Sequence, residues 1–79
     1  YVELTGNRVS DVGPLSGIPS LTSLYLANNQ IRDASPLFKL PKVWTLYLEG
    51  NQVSQLQGIG GMKWLSMLSL KGNQVTDIS

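Results

Sequence analysis

Leu21-Thr22-Ser23-Leu24-Tyr25-Leu26-Ala27-Asn28-Asn29-Gln30-Ile31 decides the fold of this chain, because its pattern returns at a fixed interval. Asn7, Asn29, Asn51 and Asn73 stand 22 residues apart, each in the same frame of apolar positions. A segment of that length cannot bury its own apolar face and gains a core only when stacked on copies of itself. The expected product is a solenoid, with function on a surface that repeats along it.

Working outward from that stretch, the first whole repeat closes with Ala34, Leu37 and Leu40. The next runs Val43, Leu46, Leu48, Asn51, Val53, Leu56, Ile59 and Met62. Leu65, Leu68, Leu70, Asn73, Val75 and Ile78 open another turn, and Val2, Leu4, Asn7, Val9, Val12, Leu15 and Ile18 belong to one whose start is missing. The chain thus divides into a partial repeat (1–20), two whole repeats (21–42 and 43–64) and a second partial repeat (65–79). It reads as one array and as a segment of a longer protein.

Leu24-Tyr25-Leu26 alternates apolar and polar at period two, as a short half-buried strand does. Strands met once per coil run parallel, about 4.8 Å apart, so equivalent residues stack in columns. The asparagine follows where the chain leaves the strand. Its amide both donates and accepts, so it can satisfy turn backbone groups that water does not reach. Four such residues imply a ladder, each rung worth roughly 1–3 kcal/mol. Beyond it, in Asp33-Ala34-Ser35-Pro36-Leu37-Phe38-Lys39-Leu40-Pro41, Ser35 is placed to cap and Pro36 to take a first helical position, and Pro41 turns Leu40 away from helix. Short 3₁₀ turns are expected in all three connections. The third should be looser, since Gly58 stands where proline would recur and Gly60-Gly61 follow. Gly6, Gly50 and Gly72 supply the permissive turn before each asparagine.

The frame L-x-x-L-x-L-x-x-N-x-I/V resembles the leucine-rich repeat along the whole chain. That resemblance implies an α/β solenoid, a right-handed superhelix with a concave parallel β-sheet and short 3₁₀ or irregular convex segments. Among such families the repeats are most similar to the bacterial internalins, in Asn7-Arg8-Val9-Ser10-Asp11-Val12-Gly13-Pro14-Leu15 and Asn73-Gln74-Val75-Thr76-Asp77-Ile78-Ser79. Gln55 replaces the aspartate in the third repeat. The leucine-rich regulatory subunits of a protein phosphatase share the period but less of the Asp and Pro signature.

The internalin resemblance implies adhesion or receptor binding through the concave sheet, and a secreted or bacterial cell-surface location; the residues themselves also suit the cytoplasm. The outward columns are Tyr1, Ser23, Thr45 and Met67; then Glu3, Tyr25, Tyr47 and Ser69; then Thr5, Ala27, Glu49 and Lys71. Tyr25 and Tyr47 share a column in adjacent repeats and are the strongest candidates, since aromatic residues dominate binding hot spots. Trp44 is expected to flank them, with Glu3 and Met67 on the same face. Glu49 and Lys71 are placed to pair, although exposed pairs are worth only about 0–1 kcal/mol. Paired tyrosines also have a purely structural use in strand pairing, at roughly 0.2–1 kcal/mol per contact. Lys39, Lys42 and Lys63 fall in the variable part and read as solubilising, while Trp64, just before a strand, either covers a seam between repeats, the preferred reading, or is exposed.

Composition limits the alternatives. The 79 residues are 42% hydrophobic and 14% charged, with a net charge of +1, so no strong field exists to steer nucleic acid. No apolar run approaches the roughly 18 residues of a membrane span. Without Cys or His the usual zinc, iron and copper ligand sets are missing, no cofactor is implied, and neither a histidine base nor a thiol nucleophile is available. The partner expected is therefore a protein, with carbohydrate as the alternative because aromatic platforms also suit sugar rings. A spacer or self-associating array is the competing reading. Val2 and Leu4 at one end and Leu65, Leu68 and Leu70 at the other would then stack copies end to end.

Overall fold

In a computed structural model describing residues 1–75, four short strands form one parallel sheet in the order β1-β2-β3-β4. They are β1 (Val2–Glu3), β2 (Ser23–Tyr25), β3 (Thr45–Tyr47) and β4 (Met67–Ser69). Pairing follows the sequence period, with Val2 opposite Leu24, Leu24 opposite Leu46, and Leu46 opposite Leu68. Identical frame positions therefore do stack. The Thr76-Asp77-Ile78-Ser79 part of the last repeat lies outside the described residues.

Backbone bonding between repeats continues well past the strands. Leu26 N–H donates to Tyr47 O at 2.9 Å, Asn28 N–H to Glu49 O at 2.7 Å, and Gln52 N–H to Ile31 O at 2.9 Å. Beyond these, three 3₁₀ turns, Gly13–Gly17, Ser35–Lys39 and Ile59–Gly61, form the opposite side. The third is the shortest, and Gly58 enters it at φ +97°. Prolines fill the first turn of the other two. Ser35 does not cap its turn as expected: it is already the first helical residue, and its N–H donates to Asp33 Oδ1 at 3.0 Å. The aspartate two residues earlier thus holds the chain's entry, and Asp11 does the same for Gly13 N–H at 2.9 Å.

The core lies between sheet and 3₁₀ turns. Leu24, Leu26, Ile31, Leu37, Leu46, Leu48 and Val53 have no exposed surface. The outer repeats are less covered: Leu68 is 40% and Ile18 43% exposed, while Leu4, Leu15, Leu65 and Leu70 are partly buried.

The asparagines knit each turn to the one before. Asn51 Nδ2–H donates to Leu48 O at 3.0 Å and Glu49 O at 3.3 Å in its own repeat and to Leu26 O at 2.9 Å in the preceding one. Its Oδ1 accepts from Ile31 N–H at 3.0 Å. Asn29 repeats this with Leu26 O, Ala27 O, Leu4 O and Val9 N–H. Asn73 does so with Leu70 O, Leu48 O and Val53 N–H. Asn7 differs from the expected fourth rung: it is exposed and donates only within its own turn, to Leu4 O at 2.9 Å and Thr5 O at 3.5 Å. Among the described residues no earlier turn offers it partners.

The turn into each asparagine is left-handed. Gly6, Gly50 and Gly72 have φ of +69 to +77°, and Asn28 takes the same place in the second repeat at φ +57°. Asparagine is one of the few side chains that tolerates this region.

Candidate functional site

The sheet presents three rows of side chains, and its middle row is aromatic. Tyr25 faces Tyr47 in strict register across β2 and β3, with ring centroids 5.2 Å apart and planes at 64°. Tyr1 adds a third ring, 5.3 Å from Tyr25 and tilted 54°. The sequence placed Tyr1 in a different column, and the structure shows it leaning diagonally onto Tyr25. Diagonal neighbours on a sheet are within reach of large side chains, so an aromatic two positions before the Tyr25 column was the signal available. Edge-to-face rings at these separations are a favoured aromatic geometry, worth about 0.5–1.5 kcal/mol per pair beyond area. The three rings make a continuous apolar strip with hydroxyls at its surface; Tyr1 is 76% exposed, while Tyr25 and Tyr47 are half-buried.

The remaining predicted residues distribute around this strip. Met67 is exposed in the row of Thr45, on β4. Thr45 itself is buried, a short side chain held between Ser23 and Met67 in neighbouring strands. Glu3 is exposed on β1, and its Oε1 accepts from Thr5 N–H at 2.8 Å. Hydrogen bonding from Thr5, side chain first and backbone second, holds this carboxyl below its ordinary value. Glu49 was expected to be solvated and paired with Lys71. It is instead partly buried, and its Oε1 is occluded with no hydrogen-bond partner. A carboxylate oxygen so placed favours an incoming donor, since an unpaired polar atom out of water is costly.

Trp44 precedes β3 by one residue and lines a cleft with Thr22 and Trp64. Trp64 was expected to pack over a seam; it is 59% exposed. The opposite flank is polar, with shallow clefts around Arg32, whose Nε–H donates to Gln52 Oε1 at 2.8 Å. Among the described residues no group of three or more His, Cys, Asp or Glu is placed to hold a metal ion, and no helix is long and apolar enough to cross a membrane.

A family model described as Leucine Rich repeats (2 copies) matches residues 1–39. The fold is similar to the crystal structure of an internalin (inlF) from Listeria monocytogenes, with a TM-score of 0.90 and 34% identity over 94% of this chain. The chain folds as a leucine-rich repeat solenoid. It spans 22% of the length of that internalin. None of the curated proteins matches the chain. Within the leucine-rich repeat frame, interior positions carry the fold, so a binding surface is built from the outward rows and the flanks. What the outward rows assemble is an aromatic strip on a rigid sheet.

Proposed function

We propose that this array is a protein-interaction module that binds its partner through the sheet face, and that it does so at a bacterial cell surface as part of an internalin-like protein. The observation that carries the reading is the Tyr1–Tyr25–Tyr47 strip, with Tyr25 and Tyr47 on adjacent strands and Tyr1, just before β1, against Tyr25. Hot spots are enriched in tyrosine because each ring brings large apolar area with few rotatable bonds. Strand backbones hold Tyr25 and Tyr47 in register, so little ordering entropy is lost when they are covered. Glu49 and Lys71 supply charge at the strip's margin, and Met67 an adaptable apolar contact.

The likeness to an internalin favours a host cell-surface protein as partner. The test is adhesion of the labelled chain to cultured epithelial cells. Truncating both Tyr25 and Tyr47 to Ala should weaken adhesion by at least about 30-fold, the equivalent of one hot-spot residue of roughly 2 kcal/mol. Prior trypsin treatment of the cells should abolish adhesion if the partner is a protein. Unchanged adhesion of a variant that keeps its circular dichroism would overturn the reading. A second reading, self-association, rests on the 40% exposure of Leu68 on β4, which pairs with β3 alone among the described residues. Sedimentation at micromolar concentration tests it: a monomer removes it.

A further inference from the structure

Only two tryptophans occur in this chain, and both line one cleft on a flank of the solenoid that the sheet face does not include. Trp44 and Trp64 are 51% and 59% exposed, and with Thr22 they line an open surface cleft of about 460 Å³. That volume lies within the roughly 300–1,000 Å³ of small-molecule sites. Exposed indole pairs are unusual, because tryptophan normally gains from burying its large ring. Neither ring has been recruited to the core, although Val43 and Met62, one and two residues before them in sequence, have.

The charge on this flank is one-sided. The segments that lead from the 3₁₀ turns back to the strands, residues 17–22, 39–44 and 61–66, contain Lys39, Lys42 and Lys63 and no acidic residue. All three lysines are exposed. The opposite flank mixes Arg8 and Arg32 with Asp11 and Asp33. By the repeat register Lys42 occupies in its turn the position Trp64 holds in the next, and Lys63 immediately precedes Trp64. Three lysines scattered along the sequence are thus brought to one side of the fold, two of them next to the indoles.

We infer that the Trp44–Trp64 cleft is a binding site for an acidic oligosaccharide. A pyranose ring offers a C–H face that stacks on indole, its hydroxyls find the Thr22 hydroxyl and water, and its carboxylate or sulfate groups meet Lys42 and Lys63. A neutral apolar ligand would leave the lysine bias unused, and a nucleic acid would need a denser array of cations than three. This site is independent of the tyrosine strip and does not rest on it.

Intrinsic fluorescence excited in the indole band reports on this cleft alone, because no other tryptophan exists. Titration with a sulfated hexasaccharide and with an oligogalacturonate should each give a saturable emission change, and a neutral hexasaccharide should bind at least tenfold more weakly. Affinity should fall as salt rises from roughly 0.02 to 0.3 M, since exposed charges are screened. Trp64→Ala should weaken binding at least tenfold with Trp44 still reporting, and joint Lys42→Ala and Lys63→Ala should remove both the acidic preference and the salt dependence. Arg8→Ala, on the other flank, controls for net charge and should leave affinity unchanged. The two acidic arms separate sulfate recognition from carboxylate recognition; binding in either supports the site. No saturable change with either acidic sugar at millimolar concentration would overturn the inference, as would equal affinity for the neutral one. An emission change that follows protein concentration without sugar, accompanied by a doubled mass, would assign the cleft to a second copy and overturn it as well.

Discussion

Asn51→Ala should destabilise the array far more than Asn7→Ala, although the two residues hold the same place in the repeat. The magnitude follows from which groups lose their only partner. When the Asn51 amide is removed, Leu26 O keeps the bond from Asn29, Leu48 O keeps the bond from Asn73, and Glu49 O keeps the one from Asn28 N–H. Ile31 N–H, a buried donor, loses the 3.0 Å bond that satisfied it. One orphaned buried donor costs about 1–3 kcal/mol. Asn7 accepts from no backbone N–H among the described residues, and Leu4 O, which it serves, also receives Asn29 at 3.0 Å. Its loss should therefore stay within the roughly 0.5 kcal/mol of an ordinary surface change. With a urea slope near 1–2 kcal/mol/M for a chain of this size, a 2 kcal/mol loss lowers the midpoint by about 1–2 M. Urea titrations followed by far-ultraviolet circular dichroism resolve that difference readily. Equal midpoints for the two variants would show that the asparagines act through local turn propensity and not by satisfying the preceding repeat.

Gly50→Ala should destabilise more than Gly6→Ala, because both sit at positive φ but an added Cβ at Gly50 meets Asn28 Oδ1 whereas nothing approaches within 4 Å at Gly6. Adding Asn28→Ala to Gly50→Ala should leave that second effect measurable as non-additivity in a double-mutant cycle. Leu46→Ala, at a wholly buried position in β3, should cost about 2–5 kcal/mol, and the equivalent Leu68→Ala, 40% exposed, much less; similar losses in thermal or chemical denaturation would contradict the placement of the core. Acid should erode stability. The Asp33 carboxyl is held below its ordinary 3.8 by hydrogen bonds from Ser35, and that of Glu3 is lowered by Thr5. A carboxyl with a depressed folded pKa contributes stability above its unfolded pKa and loses it as pH falls through the folded one, so the decline should fall between about pH 5 and pH 2. Both groups are exposed, so the effect is small, and Asp33→Asn with Glu3→Gln should flatten it.

Much of the fold was legible because a period fixes which positions share a column. Once Asn29 and Asn51 were seen 22 residues apart, the opposition of Tyr25 and Tyr47 and the inward course of Leu24, Leu46 and Leu48 followed from strand alternation alone. What a period does not fix is how far a side chain reaches or what covers it. Tyr1 joins Tyr25 by leaning across two residues, a choice of rotamer that column counting does not contain. Glu49 and Lys71 share a column, yet Glu49 Oε1 is occluded without a partner. Position in the stack also escapes the frame. Leu46 and Leu68 are equivalent in sequence but differ from 0% to 40% in exposure, because one has strands on both sides. Position just before a strand leaves Trp64 either to cover a seam between repeats or to be exposed, and the structure has it 59% exposed.

The hydrogen bonds of the asparagines give the array a direction. Asn29 serves Leu4 O and Val9 N–H, Asn51 serves Leu26 O and Ile31 N–H, and Asn73 serves Leu48 O and Val53 N–H; in each case the residue completes the turn of the repeat before its own. Coupling in a solenoid is between nearest neighbours, and besides the backbone bonds between strands each interface holds one backbone donor that is satisfied by the asparagine side chain of the following repeat. Asn73→Ala should therefore raise the hydrogen-exchange rate of Val53 N–H, about 10- to 100-fold for the loss of one such bond. Ile31 N–H, held by Asn51, should stay protected until global unfolding. Measured by two-dimensional NMR, faster exchange confined to the substituted repeat, with Val53 unchanged, would place the constraint within each turn and not between turns. Under the geometry observed here, the repeat that follows determines how firmly the preceding turn is closed, and the rigid sheet that displays Tyr25 and Tyr47 depends on the rungs at Asn51 and Asn73 beneath it.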